Sequence, residues 1–162
     1  MGTAPAHAVH PFDPVWDAGC RVLVLGTFPS VRSREVGFYY GHPRNRFWPM
    51  LARIFGGPVP ADTQGRRDFA LRCGVALWDV LAACDIAGSS DASIRRPVPN
   101  DVAALALKSG VRLVACNGRR AYELYRRYID CPLPVRALPS TSAANAAWSL
   151  DALCGAWREA LL

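Results

Sequence analysis

The chain has 162 residues, and its 19 Lys and Arg against 13 Asp and Glu give a formal charge of +6. That length favours one domain, while 51% hydrophobic and 20% charged residues exclude a disordered or fibrous chain. The longest apolar runs, Val22–Leu25 and Val75–Trp78, are far shorter than the ~20 residues of a membrane helix. The N-terminal residues also lack the charged and apolar regions of an export signal, so we expect a soluble, cytoplasmic protein that contacts no membrane.

The six cysteines are separated by irregular gaps, and no two of them form a C-x-x-C pair. This spacing is not that of a zinc site or an iron–sulfur cluster. We expect reduced thiols in the core, and we expect the protein to use neither a metal nor another cofactor.

The positive net charge is compatible with a nucleic-acid partner or with an ordinary solvated surface. Lys and Arg can displace counterions from phosphates, which favours a nucleic acid as partner. A moderate charge spread along the chain is equally typical of a solvated surface, so charge alone does not decide between them.

Prolines at positions 5, 11 and 14 interrupt any helix in residues 1–20 and predict an extended N-terminal arm. Residues 21–162 then form a single domain. His7 and His10 are spaced as two metal ligands can be, but no third ligand accompanies them, which favours a mobile tail.

Apolar runs and helical spacing define the elements of the domain in chain order. Strands are predicted at 21–26, 75–79, 111–116 and 135–138, and helices at 45–55, 66–73, 101–109, 119–128 and 146–162. Between the second strand and the third helix, residues 80–97 are rich in Gly, Ser and Asp and are expected to form a loop.

Strands that alternate with helices predict a three-layer α/β/α fold around a central four-stranded, mainly parallel sheet. In such folds the loops after the strands gather at one edge of the sheet. The segments 26–30 and 139–145 should therefore meet Asp79 and Asn117 in one crevice.

Two motifs at that edge resemble a known family. Gly26-Thr27-Phe28-Pro29-Ser30 follows the first strand and is succeeded by the segment 39–48, YYGHPRNRFW, while residues 138–145, LPSTSAAN, follow the last strand. Together they resemble the uracil-DNA glycosylase superfamily, and within it the hypoxanthine-DNA (deoxyinosine) glycosylase family, from about residue 11 to the C-terminus. The resemblance implies base excision from DNA.

The chain departs from the superfamily pattern at three positions. The acid or amide that positions the attacking water in motif one is replaced by Phe28, and the histidine of motif two is replaced by Leu138. The proline that usually follows the motif-two serine is Ala143. The resemblance implies that Asn45, in the segment before the first predicted helix, takes over as the catalytic residue.

The chemistry suits an asparagine, because a departing base leaves a sugar cation that needs only a well-oriented water. The carbonyl of Asn45 can hold that water in line. The alternative is that Asn45 only caps the helix that follows it.

Five residues are predicted to bind the base: Gly26, Thr27, Phe28, Tyr40 and Asp79. Asp79 can accept the N1–H of hypoxanthine, which adenine lacks, or it can cap a following helix. The rings of Phe28, Tyr39 and Tyr40 can line the pocket for the base, or they can pack at the edge of the hydrophobic core.

Short polar side chains are predicted to contact DNA phosphates: Ser30, Ser140, Thr141, Ser142 and Asn145. Ser142 or Asn145 can also cap the last helix. Further candidates for contacts to the DNA backbone, with solvation as the alternative for each, are Arg44, Arg46, Arg95, Arg96, Arg119 and Arg120.

We therefore expect a monomeric, nucleoid-associated DNA glycosylase that removes hypoxanthine from double-stranded DNA. A uracil-excising enzyme of the same fold is the first alternative, because both bases present an N–H beside a carbonyl. A binder of damaged DNA without activity is the second, because Phe28 removes the usual water-positioning group. No Gly-x-Gly-x-x-Gly follows the first strand, which argues against a dinucleotide enzyme.

Overall fold

The computed structural model describes residues 4–162. In chain order its strands are β1 (Ala6–Val9), β2 (Val22–Gly26), β3 (Val75–Asp79), β4 (Leu81–Ile86), β5 (Arg95–Pro99), β6 (Leu113–Asn117) and β7 (Val135–Leu138). Its helices are α1 (Val31–Val36), α2 (Phe47–Phe55), α3 (Thr63–Arg72), α4 (Val102–Ser109), α5 (Arg119–Tyr128) and α6 (Leu150–Leu161). Within the described residues, no helix has the length and apolar character needed to cross a bilayer.

The central sheet has the strand order β3-β2-β6-β7, and all three pairings are parallel. This agrees with the predicted four-stranded sheet. The register pairs Gly26 with Asp79 and Asn117 with Leu138, so the carboxyl ends of the four strands lie at one edge. Parallel sheets of this kind bind ligands at that edge.

Strand β2 is buried on both faces, which explains its uninterrupted apolar sequence. Val22 and Val24 pack on one side, in the same core cluster as residues of α2, α3 and α6. Leu23 and Leu25 pack on the other side with residues of α4 and α5. The sheet is therefore covered by helices on both faces, as expected for an α/β protein.

A second, antiparallel sheet with the order β1-β4-β5 was not predicted. Its strands β4 and β5 lie within the segment that was expected to be a loop. The alternation of β4 is weak because alanines and Asp85 interrupt it, and β5 carries prolines at positions 97 and 99. Proline is tolerated in β5 because that strand forms an edge of the sheet.

The described part of the N-terminal arm packs on the domain. Strand β1 pairs with β4 in the register Ala6 with Ile86 to Val9 with Ala83, and Val15 forms an isolated bridge with Leu77. Val15 is completely buried. The expectation of a mobile tail around His7 and His10 is therefore wrong; residues 1–3 lie outside the described residues.

Several helix bounds also differ from the prediction; α3, for example, is Thr63–Arg72 rather than 66–73. Helix α1 was missed because it is only six residues long; Ser30 caps it by accepting the Ser33 N–H at 3.1 Å. Helix α6 begins at Leu150 rather than near residue 146, because the Ser149 hydroxyl accepts the Ala152 N–H. Neither Ser142 nor Asn145 caps the last helix.

The six cysteines are free thiols, and all except Cys131 are buried. Burial raises the pKa of Cys73 to about 11 and that of Cys116 to about 12. Those thiols are thus neutral at physiological pH and poor nucleophiles. Among residues 4–162, no three His, Cys, Asp or Glu side chains come together as a metal-ligand set.

Trp157 of α6 connects the core to the loop after β7. Its side chain is completely buried, and its indole N–H donates to the Pro139 carbonyl at 2.9 Å. We predict that Trp157→Phe lowers the free energy of unfolding by about 2 kcal/mol, because it leaves a space in the core and an unpaired carbonyl. Urea unfolding measures this. Trp148→Phe is the control, since Trp148 is 37% exposed, and an equal loss in both variants would contradict the prediction.

Candidate active site

The loops at the carboxyl edge of the sheet surround a cavity of about 160 Å³. Segments 26–30 and 139–145 were expected to meet Asp79 and Asn117; residues 26–30, residues 140–142 and both of these side chains line the cavity. The predicted residues that line the cavity are Gly26, Thr27, Phe28, Ser30, Tyr40, Asn45, Asp79, Ser140, Thr141 and Ser142. Asn145 lines an adjoining groove instead.

A chain of hydrogen bonds joins three separate segments of the cavity wall. The Asn117 side chain accepts the Thr141 N–H and donates to the Thr141 hydroxyl oxygen, both at 3.0 Å. The Thr141 hydroxyl in turn donates to Asn45 Oδ1 at 2.8 Å. Thr141 has no exposed surface. Its predicted contact with DNA phosphates is therefore wrong; Thr141 holds the last loop to β6 and to the segment before α2.

Arg46 fixes the loop after β7 from the other side. Its backbone N–H donates to the Thr141 carbonyl, and its guanidinium donates to the carbonyls of Ser142 and Asn145 at 3.0 Å and to that of Trp148. Three of the five guanidinium N–H groups are thus used to hold this loop in place. The predicted contact of Arg46 with the DNA backbone stays a prediction.

Asn45 lies in the cavity wall, and its side-chain oxygen is already occupied. Oδ1 accepts the Phe47 N–H at 3.0 Å as well as the Thr141 hydroxyl. Both lone pairs of the oxygen are used, and the Phe47 N–H fixes which end of the amide is the oxygen. Nδ2 makes no hydrogen bond within the part of the chain that the structure describes. The group left for a water is therefore the amide NH₂ and not, as expected, the carbonyl.

The other predicted polar residues bond to their own loops. The hydroxyl oxygens of Ser140 and Ser142 accept the N–H groups of Ser142 and Ala144, at 3.1 and 3.2 Å. Asn145 donates from Nδ2 to the Ser140 carbonyl at 3.0 Å. In Ser140 and Ser142 this leaves the hydroxyl hydrogen for an external acceptor.

Asp79 forms the floor of the cavity and is 4% exposed. No helix follows it, because β4 begins two residues later, so the reading of Asp79 as a helix cap is wrong. Its Oδ2 lies 2.8 Å from Nε2 of His10. Its Oδ1 lies 2.4 Å from the position that a Cβ on residue 26 would occupy, and only glycine fits there. Nothing in the sequence pattern indicates the contact with His10, which is 69 positions away.

Phe28 and Tyr40 supply aromatic walls. Phe28 is buried, and the Arg34 guanidinium lies 5.6 Å from its ring centroid. Tyr40 has the unusual φ of 53°, and its ring packs on that of Phe47 at 4.3 Å. Burial, together with the charge of Asp79, raises the pKa of Tyr40 above its ordinary value. Tyr40 thus presents a neutral hydroxyl, which has no hydrogen-bond partner among residues 4–162.

Asp91 is a second carboxyl group in the cavity wall, and the sequence analysis missed it. It begins a 3₁₀ turn between β4 and β5 and lines both the cavity and the adjoining groove. Burial raises the pKa of Asp91, and the charge of Asp79 adds to this, while Thr27 and Arg120 oppose it. A single aspartate in a Ser-rich stretch carries no sequence signal of this environment.

The adjoining groove is larger and more open, with a volume of about 1120 Å³. It meets the cavity at Asp91, Ser140 and Ser142. Arg119 and the 37% exposed Trp148 line it. A small cavity beside a larger, more open groove fits a flat group held at the side of a larger ligand.

Comparison with known proteins assigns the chain to one family. The family model described as the uracil DNA glycosylase superfamily matches residues 14–161. A hypoxanthine DNA glycosylase of Methanosarcina barkeri is 32% identical over 151 residues, covering 92% of this chain and 95% of the relative. The corresponding protein of Methanosarcina acetivorans is 31% identical over 140 residues, covering 85% of this chain and 89% of the relative.

A solved structure is similar as well. The solution NMR structure of a provisionally assigned uracil DNA glycosylase from Methanosarcina acetivorans superposes with a TM-score of 0.75 at 29% identity. It covers 91% of this chain, which in turn covers 95% of it. The expected α/β/α fold and the family resemblance are thus confirmed, and the chain belongs to the uracil DNA glycosylase superfamily.

Proposed function

We propose that this protein is a DNA glycosylase that hydrolyses hypoxanthine from deoxyinosine in double-stranded DNA. The observation that carries the proposal is the convergence of Asp79, Asn45 and Asp91 on one cavity of about 160 Å³. Cavities of about 150 Å³ accommodate one aromatic ring, and this one is open on one side, so a flat base can enter it. The hypoxanthine DNA glycosylases of two Methanosarcina species, 31 and 32% identical, support the choice of base.

Extrusion of the nucleotide is required, since the glycosidic bond cannot be reached inside a duplex. The groove beside the cavity is the place where the duplex would lie, with Arg119 and the hydroxyl hydrogens of Ser140 and Ser142 toward the phosphates. The net charge of +6 favours such a partner. Mispaired inosine lowers the cost of unstacking, which helps to select it.

Recognition of the base rests on Asp79. An ionised carboxylate accepts the N1–H of hypoxanthine, whereas adenine has a lone pair at that nitrogen. Adenine would leave a buried acceptor unpaired, and such mismatches reject a wrong substrate strongly. Uracil also presents an N–H beside a carbonyl, and the name of the matching family model makes it the second candidate base.

Hydrolysis needs a water on the far face of the sugar and a place for the charge of the departing base. The Asn45 NH₂ group donates to the water oxygen and orients its free lone pair toward C1′. The C1′–N bond breaks with its electron pair on the base, and protonated Asp91 gives its proton to the base. The water oxygen forms the new bond to C1′ and releases one proton to solvent, and the Asp91 carboxylate regains a proton from solvent. The products are free base and an abasic site.

One chain supplies all of these groups, and we therefore propose that the enzyme acts as a monomer. Residues 21–162 form the glycosylase domain and residues 1–20 an arm that belongs to the same unit. A substrate of double-stranded DNA would keep the protein with the nucleoid.

The experiment that tests the function is an excision assay on duplexes that differ only in one base: inosine, uracil, xanthine or adenine. We expect hypoxanthine release to be the fastest, because this base carries the N1–H donor and the two Methanosarcina relatives are named for its excision. Preferential release of uracil would instead show that the protein is a uracil-DNA glycosylase. Binding without any release would favour a non-catalytic protein.

Asn45→Ala separates catalysis from binding in the same assay. We predict a loss of excision of about 100-fold or more, because the water is no longer held, while affinity for the inosine duplex is retained. Thr141→Val is the matched control, since it removes the same contact to Oδ1 and leaves the amide in place. Each variant should lose about 1 kcal/mol of stability. Equal excision losses in the two variants would contradict the role of the amide.

Asp91→Asn tests the proton donor through pH. Since the pKa of Asp91 is raised, its acid form persists to higher pH than usual, and excision should fall as pH rises through that pKa. We predict that Asp91→Asn abolishes this fall with pH. At pH values below the pKa of Asp91, we expect the variant to excise the base about 100-fold more slowly than the wild type. Single-turnover rates across a pH series measure both effects. Asp130→Asn changes an exposed acid outside the cavity and should keep the wild-type profile.

A further inference from the structure

We propose that His10 is a positioning residue that sets the base selectivity of the cavity through Asp79. By donating from Nε2 to Oδ2, it fixes the orientation of the carboxylate and leaves Oδ1 as the acceptor for the N–H edge of the base. The inference rests on the proposed function and extends it to the N-terminal arm.

The contact is short and almost completely buried. Nε2 of His10 lies 2.8 Å from Oδ2 of Asp79, and each side chain is 5% exposed. His10 is the sole side-chain partner of this carboxylate within residues 4–162, because Asn100 donates to the main-chain carbonyl of Asp79. A buried carboxylate without a hydrogen-bond donor is energetically costly, so the contact with His10 matters for this side chain.

The surroundings of His10 indicate where its proton lies. The ring is enclosed by Phe12, Phe28 and Tyr39, with centroids at 4.8, 6.0 and 5.9 Å. Nδ1 is buried and has no hydrogen-bond partner among the described residues. A proton on Nδ1 would be an unpaired donor in an apolar cage, so we assign the proton to Nε2, from which it is donated to Asp79.

The geometry of Asp79 then determines which base edge it can bind. Oδ2 is occupied by His10, and Oδ1 lies against the backbone of Gly26 in the cavity wall. With His10 in place, Oδ1 is held as an acceptor, which pairs with the N1–H of hypoxanthine and not with the N1 lone pair of adenine. Without His10 neither carboxylate oxygen is fixed, and this discrimination weakens.

The arm holds His10 from both sides. Strand β1 is paired with β4, and the His10 N–H donates to the Ala82 carbonyl at 2.8 Å. Five residues further on, Val15 is bonded to Leu77 of β3 in both directions at 2.9 Å. The ring therefore cannot leave the cavity floor without breaking backbone hydrogen bonds.

The test compares His10→Leu with His10→Gln. Leucine removes the donor, whereas the glutamine amide can donate from nearly the position of Nε2. We expect His10→Leu to lower kcat/KM for inosine duplexes and the affinity for free hypoxanthine by about tenfold or more, and to lower the preference for inosine over adenine. His10→Gln should retain most of the wild-type kcat/KM, affinity for hypoxanthine and preference for inosine. A purely structural loss would reduce all substrates alike.

His7→Leu is the matched control on the same arm. His7 also contacts an aspartate, Asp85, at 3.2 Å, but it is 62% exposed and does not line the cavity. Its substitution should leave the preference for inosine over adenine unchanged. The proposal is overturned if His10→Leu keeps the wild-type preference, or if His10→Gln is impaired as strongly as His10→Leu while both variants are folded.

Nitrogen-15 NMR of the wild-type histidine rings gives an answer even if His10→Leu does not fold. We expect His10 to carry its proton on Nε2 and to show no proton on Nδ1, and Asp79→Asn to shift the Nε2–H resonance. A proton on Nδ1, or no response to Asp79→Asn, would refute the inference. Failure of the wild-type protein to release hypoxanthine would instead refute the proposed function and leave this NMR result intact.

Discussion

The parallel register of the central sheet is the constraint on which the site depends. Because β2 is buried on both faces, its pairing with β3 is fixed by packing, and a slip of one residue would exchange its two sets of apolar side chains. That register sets Gly26 beside Asp79, and glycine lets the backbone approach the carboxylate. The cavity is thus a consequence of strand pairing, and the loops only complete it.

Two carboxyl groups in one cavity are given different surroundings. Asp79 has a donor in His10, whereas Asp91 is half-buried and feels the charge of Asp79, and both effects raise its pKa. Neighbouring acids whose environments separate them in this way commonly divide the work of acceptor and proton donor. Tyr40, kept neutral by burial and by the same charge, adds a hydroxyl to the wall.

The features that could be predicted depend on residues close together in the sequence, whereas most of those that were missed depend on residues far apart in it. Strand Val75–Asp79 and helix Arg119–Tyr128 were predicted with their observed bounds, because an apolar run and an amphipathic period are local signals. The edge of the sheet where the loops meet follows from topology. The antiparallel sheet was missed because β5 contains two prolines and packs at an edge. His10 and Asp91 were missed because their environments are created by residues distant in the sequence, and the exact use of the Asn45 amide depends on Thr141, 96 positions away.

The arm also has a consequence for how the protein assembles. Its first strand pairs with β4, and His7 and Asp85, which face each other there, are separated by 78 positions. Closing so long a loop costs chain entropy, which the hydrogen bonds and buried contacts of the arm must offset. During synthesis β1 cannot pair before β4 has been made, so the arm docks only after the chain has been extended to residue 86.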